Sequence, residues 1–193
     1  SRRLVTVAIV DTGLDFEHPD VDRGRLWCNP NEMPNGIDDD NNGYVDDVVG
    51  WNFVAGDNAA WDQSGHGTLI AGIIGAATGN GVGIAAIAPH ARLMILKAAD
   101  FAGHADGAAV AAAISYADQQ GADIINLSLG GDRPSVAERT AIENAVAHGI
   151  LVVVPAGNTA SRLSGDGYAE LQGVLTVAAL GPNGDRASFS NFG

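Results

Sequence analysis

Short apolar runs alternate with longer alanine-rich or amphipathic segments along most of this chain. The runs are rich in β-branched residues and stop at glycine or polar residues, which is typical of buried strands. They cover residues 4–10, 92–98, 123–127, 151–154 and 174–178. Helical spacing lies between them, over about 65–77 (beginning near His66), 105–120 and 135–148. Apolar strands separated by helices predict an α/β fold, a mainly parallel, doubly wound sheet with helices on both faces.

The composition fits one packed domain over residues 1–193. Of its residues, 46% are hydrophobic and 17% charged, which excludes a disordered chain. Ten Lys and Arg against 23 Asp and Glu give a net charge of −13, so we expect no binding to nucleic acid or to an anionic membrane. The apolar runs are too short to span a bilayer. Cys28 is the single cysteine, which excludes an intrachain disulfide.

Polar residues follow several predicted strands, at the edge where parallel sheets bind ligands. Asp11 follows the first strand and Asn158 the fourth, while His66 stands at a helix start. Together they suit a charge-relay site, in which Asp orients the imidazole, His moves a proton and Asn stabilises an oxyanion. Each residue alone has a structural alternative: a cap for Asp11, a helix-start residue for His66 and a turn residue for Asn158.

An acidic segment at 35–49 has the spacing of an EF-hand-type calcium loop. Counting Asp38 as position 1 places Gly43 at position 6, where such loops turn sharply. The ligands predicted on this count are Asp38, Asp40, Asn42, the carbonyl of Tyr44, and Asp46. Position 12 is Val49 rather than glutamate, so Asp47 is the candidate that completes the shell. The alternative is a solvated acidic turn.

Five motifs in order resemble the subtilisin-like serine protease family, the subtilases. They are Val10-Asp11-Thr12-Gly13, Gly65-His66-Gly67-Thr68, Asn126-Leu127-Ser128-Leu129-Gly130-Gly131, Ala156-Gly157-Asn158 and Ser188-Phe189-Ser190-Asn191-Phe192-Gly193. One such match is weak, but five in order over nearly the whole chain are specific. The resemblance implies a subtilisin-like fold and hydrolysis of peptide bonds in a peptide or protein substrate.

The resemblance also implies roles for individual residues. Asp11 would orient the base, His66 would be the general base and acid, and Asn158 would be the oxyanion donor. A substrate-pairing strand edge would be formed by Ser128, Leu129 and Gly130, for which a plain strand exit is the alternative. Calcium is the implied cofactor, because some subtilases carry a similar inserted loop. A second family calcium site would use Asp20, Asn80 and the carbonyls of Val82 and Ile84.

The family's nucleophilic serine lies in a Gly-Thr-Ser-Met-Ala motif, which is absent from this sequence. We therefore expect the N-terminal and central part of a calcium-stabilised endopeptidase, inactive alone, with its serine on a separate C-terminal chain or segment. The alternative is a non-catalytic, calcium-binding peptide-binding module on the same fold. A nucleotide-binding protein is excluded for want of a phosphate-binding glycine motif. The family and calcium imply a secreted or cell-envelope location. Residues 1–3 lead directly into the first predicted strand, so we expect that a signal peptide was removed before this chain begins or that none existed.

Overall fold

The computed structural model of the chain describes residues 4–129, 133–163, 165 and 167–193. Its centre is a sheet of six strands: β1 (Thr6–Asp11), β2 (Gly50–Asn52), β3 (Arg92–Lys97), β4 (Ile124–Leu127), β5 (Leu151–Pro155) and β6 (Leu175–Val177). Their order in the sheet is β2-β3-β1-β4-β5-β6, and every neighbouring pair is parallel. The carboxyl ends of all six strands therefore meet at one edge.

Within the described residues, three α-helices cover this sheet: α1 (His66–Gly75), α2 (Gly107–Gln119) and α3 (Val136–Ala147). The predicted α/β class is confirmed, and each predicted strand and helix has a counterpart in the structure. The sequence did not predict β2, which has only three residues. Helix α2 begins two residues later than predicted, because Asp106 caps it by accepting the backbone N–H of Ala108 at 3.2 Å.

The buried strand β1 separates two apolar cores. Successive side chains of a strand point to opposite faces of the sheet. Val7 and Ile9 accordingly pack in the core that contains Ala71 of α1, whereas Ala8 and Val10 pack in the core that contains α2 and α3. Burial on both faces explains why β1 reads as a continuous apolar run instead of an alternating one.

The acidic segment is anchored to the second of these cores through Asp47. This carboxylate is fully buried and accepts hydrogen bonds from the side-chain amides of Asn29 at 2.8 Å and Asn42 at 2.9 Å. It also accepts the hydroxyl of Tyr116, on α2, at 2.5 Å. Burial and this neighbouring carboxylate raise the pKa of Tyr116, so the phenol remains a donor to Asp47.

An aromatic cluster joins the same segment to the sheet. Tyr44 makes edge-to-face contacts with Trp51, Phe53 and Tyr116, with ring centroids 5.2, 5.6 and 5.1 Å apart. Such pairs stabilise by about 0.5–1.5 kcal/mol beyond the area they bury. The segment is thus packed on the domain at Tyr44 and Asp47, while its other acidic residues are more exposed.

Helix α3 begins with a capping box. Ser135 Oγ accepts the backbone N–H of Glu138 at 3.2 Å, and Glu138 Oε2 accepts the backbone N–H of Ser135 at 2.7 Å. We expect Ser135→Ala to lower the free energy of unfolding by about 1 kcal/mol, because N–H groups of the first turn lose their acceptor. Urea unfolding followed by circular dichroism measures this loss.

Ser115→Ala is the matched control for that measurement. Ser115 lies inside α2, and its hydroxyl donates to the carbonyl of Ala111 at 2.9 Å. Alanine has the better helix propensity, so this change should be neutral or slightly stabilising. An equal loss in both variants would contradict the role given to the cap.

Candidate active site

The structure brings Asp11 and His66 into direct contact. Asp11 is the last residue of β1 and is fully buried, and His66 is the first residue of α1. The distance between His66 Nδ1 and Asp11 Oδ1 is 2.7 Å. Asp11 Oδ1 also accepts the backbone N–H of Thr12 at 2.7 Å, whereas Oδ2 has no hydrogen-bond partner among the described residues. Oδ1, the oxygen that accepts both of these hydrogen bonds, is therefore the one that faces the imidazole.

Glycines allow this contact to form. A Cβ on Gly67 would lie 2.2 Å from the carbonyl oxygen of Gly13 and 3.2 Å from Asp11 Oδ1. Gly13 has a φ of +110°, and a Cβ there would lie 2.5 Å from the carbonyl oxygen of Ala60. Both positions are therefore closed to any larger residue, and α1 starts directly against the chain that leaves β1.

Asn158 lies on the exposed loop that follows β5, at the same edge of the sheet. Asn191 holds this loop: its backbone N–H donates to Gly157 O at 2.9 Å. Its side-chain oxygen accepts the backbone N–H groups of Thr159 and Ser161, both at 3.0 Å. Sequence reasoning noted Asn191 only as part of a motif and missed this role, because the two segments are more than 30 residues apart.

Ser128 and Leu129 follow β4 and are partly exposed, and Gly130, the third residue predicted for the strand edge, lies outside the described residues. Ser128 Oγ accepts the side-chain amide of Asn126 at 2.7 Å. Leu129 lines a cavity of about 600 Å³ between the starts of α2 and α3. Its other walls include Asp106, Gly107, Pro134, Glu138 and Tyr168.

Comparison with known proteins places this geometry in a family. The model of the subtilase family, peptidase S8, matches residues 2–193. The chain belongs to the subtilase family. It is 35% identical over 187 residues to a thermophilic serine proteinase of Bacillus sp. (strain AK1), a match that covers 97% of this chain and 41% of that protein.

Two further relatives show the same degree of similarity. Subtilisin DY of Bacillus licheniformis is 35% identical over 192 residues, 98% of this subtilase chain and 61% of the relative. Thermitase of Thermoactinomyces vulgaris is 35% identical over 187 residues, 97% of this chain and 59% of the relative. The chain thus spans about half the length of the curated relatives it matches.

Two carboxylates of the acidic segment and a third just before it form one compact group in this subtilase. One carboxylate oxygen from each of Glu32, Asp38 and Asp40 lies within 4.8 Å of the others. Glu32 is buried and accepts the backbone N–H of Asp39 at 2.6 Å and of Asp46 at 3.0 Å. Sequence reasoning missed Glu32, because it stands six residues before the loop count begins.

The other predicted ligands of the segment have hydrogen-bond partners of their own. The carboxylate of Asp46 accepts the backbone N–H groups of Asn35 and Gly36, at 2.8 and 2.9 Å, and is not one of the three that form the compact group. The side-chain oxygen of Asn42 accepts the backbone N–H of Tyr44 at 2.8 Å. Asp47, the candidate that would complete the shell, is instead occupied by its three donors in the core.

Residues predicted for the second calcium site lie together around Asp20. Its Oδ1 accepts the side-chain amide of Asn80 at 2.9 Å, and its Oδ2 accepts the backbone N–H of Ile84 at 2.9 Å. These hydrogen bonds lower the pKa of Asp20, the bond from Asn80 most. Val82 belongs to the same turn, since its backbone N–H donates to Asn80 Oδ1 at 3.1 Å.

Gly67→Ala tests whether the close contact between the start of α1 and the chain that leaves β1 excludes a side chain at Gly67. The added methyl group meets the backbone oxygen of Gly13, which cannot move away cheaply, so we expect a loss of about 1–3 kcal/mol in the free energy of unfolding. Gly72→Ala is the control in the same helix, since a Cβ there has no atom within 4 Å. It should stabilise the chain by about 0.5–1 kcal/mol. Urea unfolding of both variants measures the difference, and similar shifts would contradict this account.

Proposed function

We propose that this chain is the N-terminal and central part of a subtilisin-like serine endopeptidase domain. The contact of 2.7 Å between His66 Nδ1 and the fully buried Asp11 carries the proposal. A carboxylate that accepts the Nδ1 proton leaves a lone pair on Nε2. The imidazole can then take a proton from a hydroxyl nucleophile and return it to the leaving amine, while Asp11 stabilises the imidazolium.

The substrate of such a site is an extended peptide. Ser128 and Leu129 are partly exposed where β4 ends, so a peptide backbone can add beside them as a further strand. A substrate side chain then enters the cavity next to Leu129. The side-chain amide of Asn158, on the neighbouring loop, donates to the oxyanion that forms on the attacked carbonyl.

The nucleophilic serine belongs, in this proposal, to a further segment or a separate chain. The sequence contains no Gly-Thr-Ser-Met-Ala motif, and the relatives are about twice as long as the region they share with this chain. Large apolar side chains on α1 and β6 support the proposal: Leu69 is 60% exposed, and Leu175 and Val177 are about half exposed. A segment packed on them removes this surface from water.

Activity should therefore depend on both parts. We expect the 193-residue chain alone to hydrolyse no peptide, and a longer chain that continues into the serine motif to do so. His66→Ala in the longer chain should lower kcat/KM by about 10³-fold or more, since proton transfer loses its base. Hydrolysis of a chromogenic peptide measures this loss.

His148→Ala is the control, because His148 also contacts an aspartate, Asp118, through Nδ1 at 2.8–2.9 Å, but on the surface. It should leave kcat/KM unchanged. A longer chain that folds and binds peptide without cleaving it would indicate the peptide-binding module instead. Labelling of the short chain by a fluorophosphonate, blocked by His66→Ala, would contradict the absence of a nucleophile.

We also propose that calcium binds the acidic segment. Ligands about 2.3–2.6 Å from one Ca²⁺ ion lie at most about 5 Å apart, which the group formed by Glu32, Asp38 and Asp40 satisfies. A divalent cation offsets the repulsion of these carboxylates, and Asn42 and the Tyr44 carbonyl are neighbouring oxygen donors. Asp46 takes part only if its carboxylate leaves Asn35 and Gly36.

A weaker second calcium site is proposed at Asp20 and the turn that faces it. The turn approaches the carboxylate so closely that a Cβ on Gly83 would lie 1.9 Å from Asp20 Oδ2. Asn80 would present its side-chain oxygen after rotation of the amide, and Val82 and Ile84 would offer carbonyl oxygens.

A secreted or cell-envelope location agrees with a calcium-dependent subtilase, because calcium is abundant outside cells. In the described parts of the chain, every helix is too short or too polar to cross a bilayer.

Calcium should raise the melting temperature of the chain, and a chelator should lower it, because the cation binds the folded state. At 100 times the dissociation constant the gain is about 2.7 kcal/mol. We expect Asp40→Ala and Glu32→Gln to remove most of this gain, leaving the smaller shift from the Asp20 site.

Asp39→Ala is the matched control, because the carboxylate of Asp39 accepts bonds from Met33 and Asn35 outside the group. Titration calorimetry on the four proteins compares affinity and stoichiometry. Identical calcium binding by wild type and Asp40→Ala would leave the segment an acidic surface loop.

A further inference from the structure

Asp62, in the loop before α1, is a partly buried carboxylate outside the proton relay. Its Oδ1 accepts the backbone N–H groups of Ser64 and Gly65, both at 2.9 Å. Its Oδ2 accepts the backbone N–H of Thr68 at 2.9 Å and the Thr68 hydroxyl at 2.6 Å. Burial opposes ionisation, but the hydrogen bonds from Thr68, Gly65 and Ser64 outweigh it and lower the pKa of Asp62 to about 2. The carboxylate thus holds the chain on both sides of His66.

Thr12 connects this carboxylate to the end of β1. Its hydroxyl donates to Asp62 Oδ1 at 2.9 Å and accepts the backbone N–H of Gly67 at 2.9 Å. Its backbone N–H donates to Asp11 Oδ1, the oxygen that contacts His66. A continuous set of hydrogen bonds therefore joins Asp62 to both partners of the contact.

Lys97, at the end of β3, fixes the loop that carries Asp62. Its buried ammonium group donates to the carbonyl oxygens of Thr12 at 2.6 Å and Trp61 at 3.0 Å. Burial lowers the pKa of Lys97, and the nearby carboxylates of Asp62 and Asp100 oppose that shift. The residue before Asp62 is thus held to the sheet independently of α1.

We propose that Asp62 is a positioning residue for the base, which acts through Thr12 and the first turn of α1 to keep the His66 ring in its Nδ1–H tautomer. This inference rests on the proposed function, because only that function makes His66 the general base. The side chain of His66 is 47% exposed, so packing alone does not fix the ring. If the first turn shifts, Nδ1 loses Asp11 and the neutral ring is free to carry its proton on either nitrogen.

Ring-nitrogen NMR of the ¹⁵N-labelled 193-residue chain tests the proposal, above the pH at which the imidazoles are protonated. The two nitrogen shifts of a neutral ring report which nitrogen carries the proton, and His66→Ala assigns the signal. We expect a single Nδ1–H tautomer for His66 in the wild type and a mixture in Asp62→Ala. The measurement needs no proteolysis, so it stands or fails separately from the peptidase activity.

Two comparisons separate positioning from general stability. Asp57→Ala removes another carboxylate from the same loop. This carboxylate accepts the backbone N–H of Ala59 and the side-chain amide of Asn52. Among the described residues, it has no hydrogen bond to α1 or to Thr12. This substitution should lower the melting temperature without changing the His66 tautomer. Thr12→Val removes the hydroxyl bridge at nearly constant shape and should give the mixture, whereas Thr12→Ser should not.

A wild-type tautomer retained in folded Asp62→Ala overturns the proposal, and so does an Nε2–H ring in the wild type itself. If Asp62→Ala does not fold, the Thr12 pair decides. In that case, a His66 ring that stays entirely Nδ1–H in Thr12→Val overturns the proposal. A mixture of tautomers in Thr12→Val together with a single Nδ1–H tautomer in Thr12→Ser supports it.

Discussion

The start of α1 lies so close to the chain leaving β1 that neither surface has room for a side chain. Gly67 meets the carbonyl of Gly13 there, and Gly13 in turn meets the carbonyl of Ala60. This approach brings the imidazole of His66 within 2.7 Å of a carboxylate that is itself out of contact with water. The hydrogen bonds of Thr12 and Asp62 to each other and to the first turn of α1 surround that single close approach.

Burial of Asp11 makes the neighbouring donors essential. A buried carboxylate costs several kcal/mol unless hydrogen bonds or an opposite charge stabilise it. Thr12 and His66 supply donors to one oxygen only, and the other has no partner among the described residues. Asp11 therefore stabilises a positive imidazolium more strongly than a solvated carboxylate would. In the proposed reaction, this imidazolium forms when His66 takes the proton of the nucleophile.

Much of the sheet could be predicted from the sequence, because β1, β3, β4 and β5 all form apolar runs. Strands β1 and β3 are buried on both faces, whereas β4 and β5 are fully buried on one face only. The three-residue strand β2 could not be predicted, since its pairing with β3 depends on Gly50, where a Cβ would lie 1.8 Å from the carbonyl of Ile95. A segment of three residues is too short to show the alternation of polar and apolar residues by which a strand is recognised.

At the candidate site, Asp11 and His66 could be named as candidates because each stands in a recognisable motif, and the structure brings the two into contact. The contacts of Glu32 and Asp62 could not be predicted, because each carboxylate accepts backbone N–H groups from residues further along the sequence, up to 14 residues for Glu32 and six for Asp62. Asp46 shows the converse: its place in the loop count fits a ligand, yet its side chain turns to Asn35 and Gly36. Spacing specifies which oxygens are near a turn but not which way they point.

The aromatic cluster around Tyr44 gives the acidic segment an optical signature. Tyr44 belongs to this segment, and its ring lies edge-on to Trp51 of β2 with centroids 5.2 Å apart. Any event that orders or loosens the segment changes the surroundings of the Trp51 indole. Tryptophan emission of the unlabelled chain therefore reads out the conformation of a surface loop from within the sheet, on the timescale of a mixing experiment. Trp27 is linked to the same cluster, because it contacts Tyr116, whereas Trp61 contacts Phe16 instead.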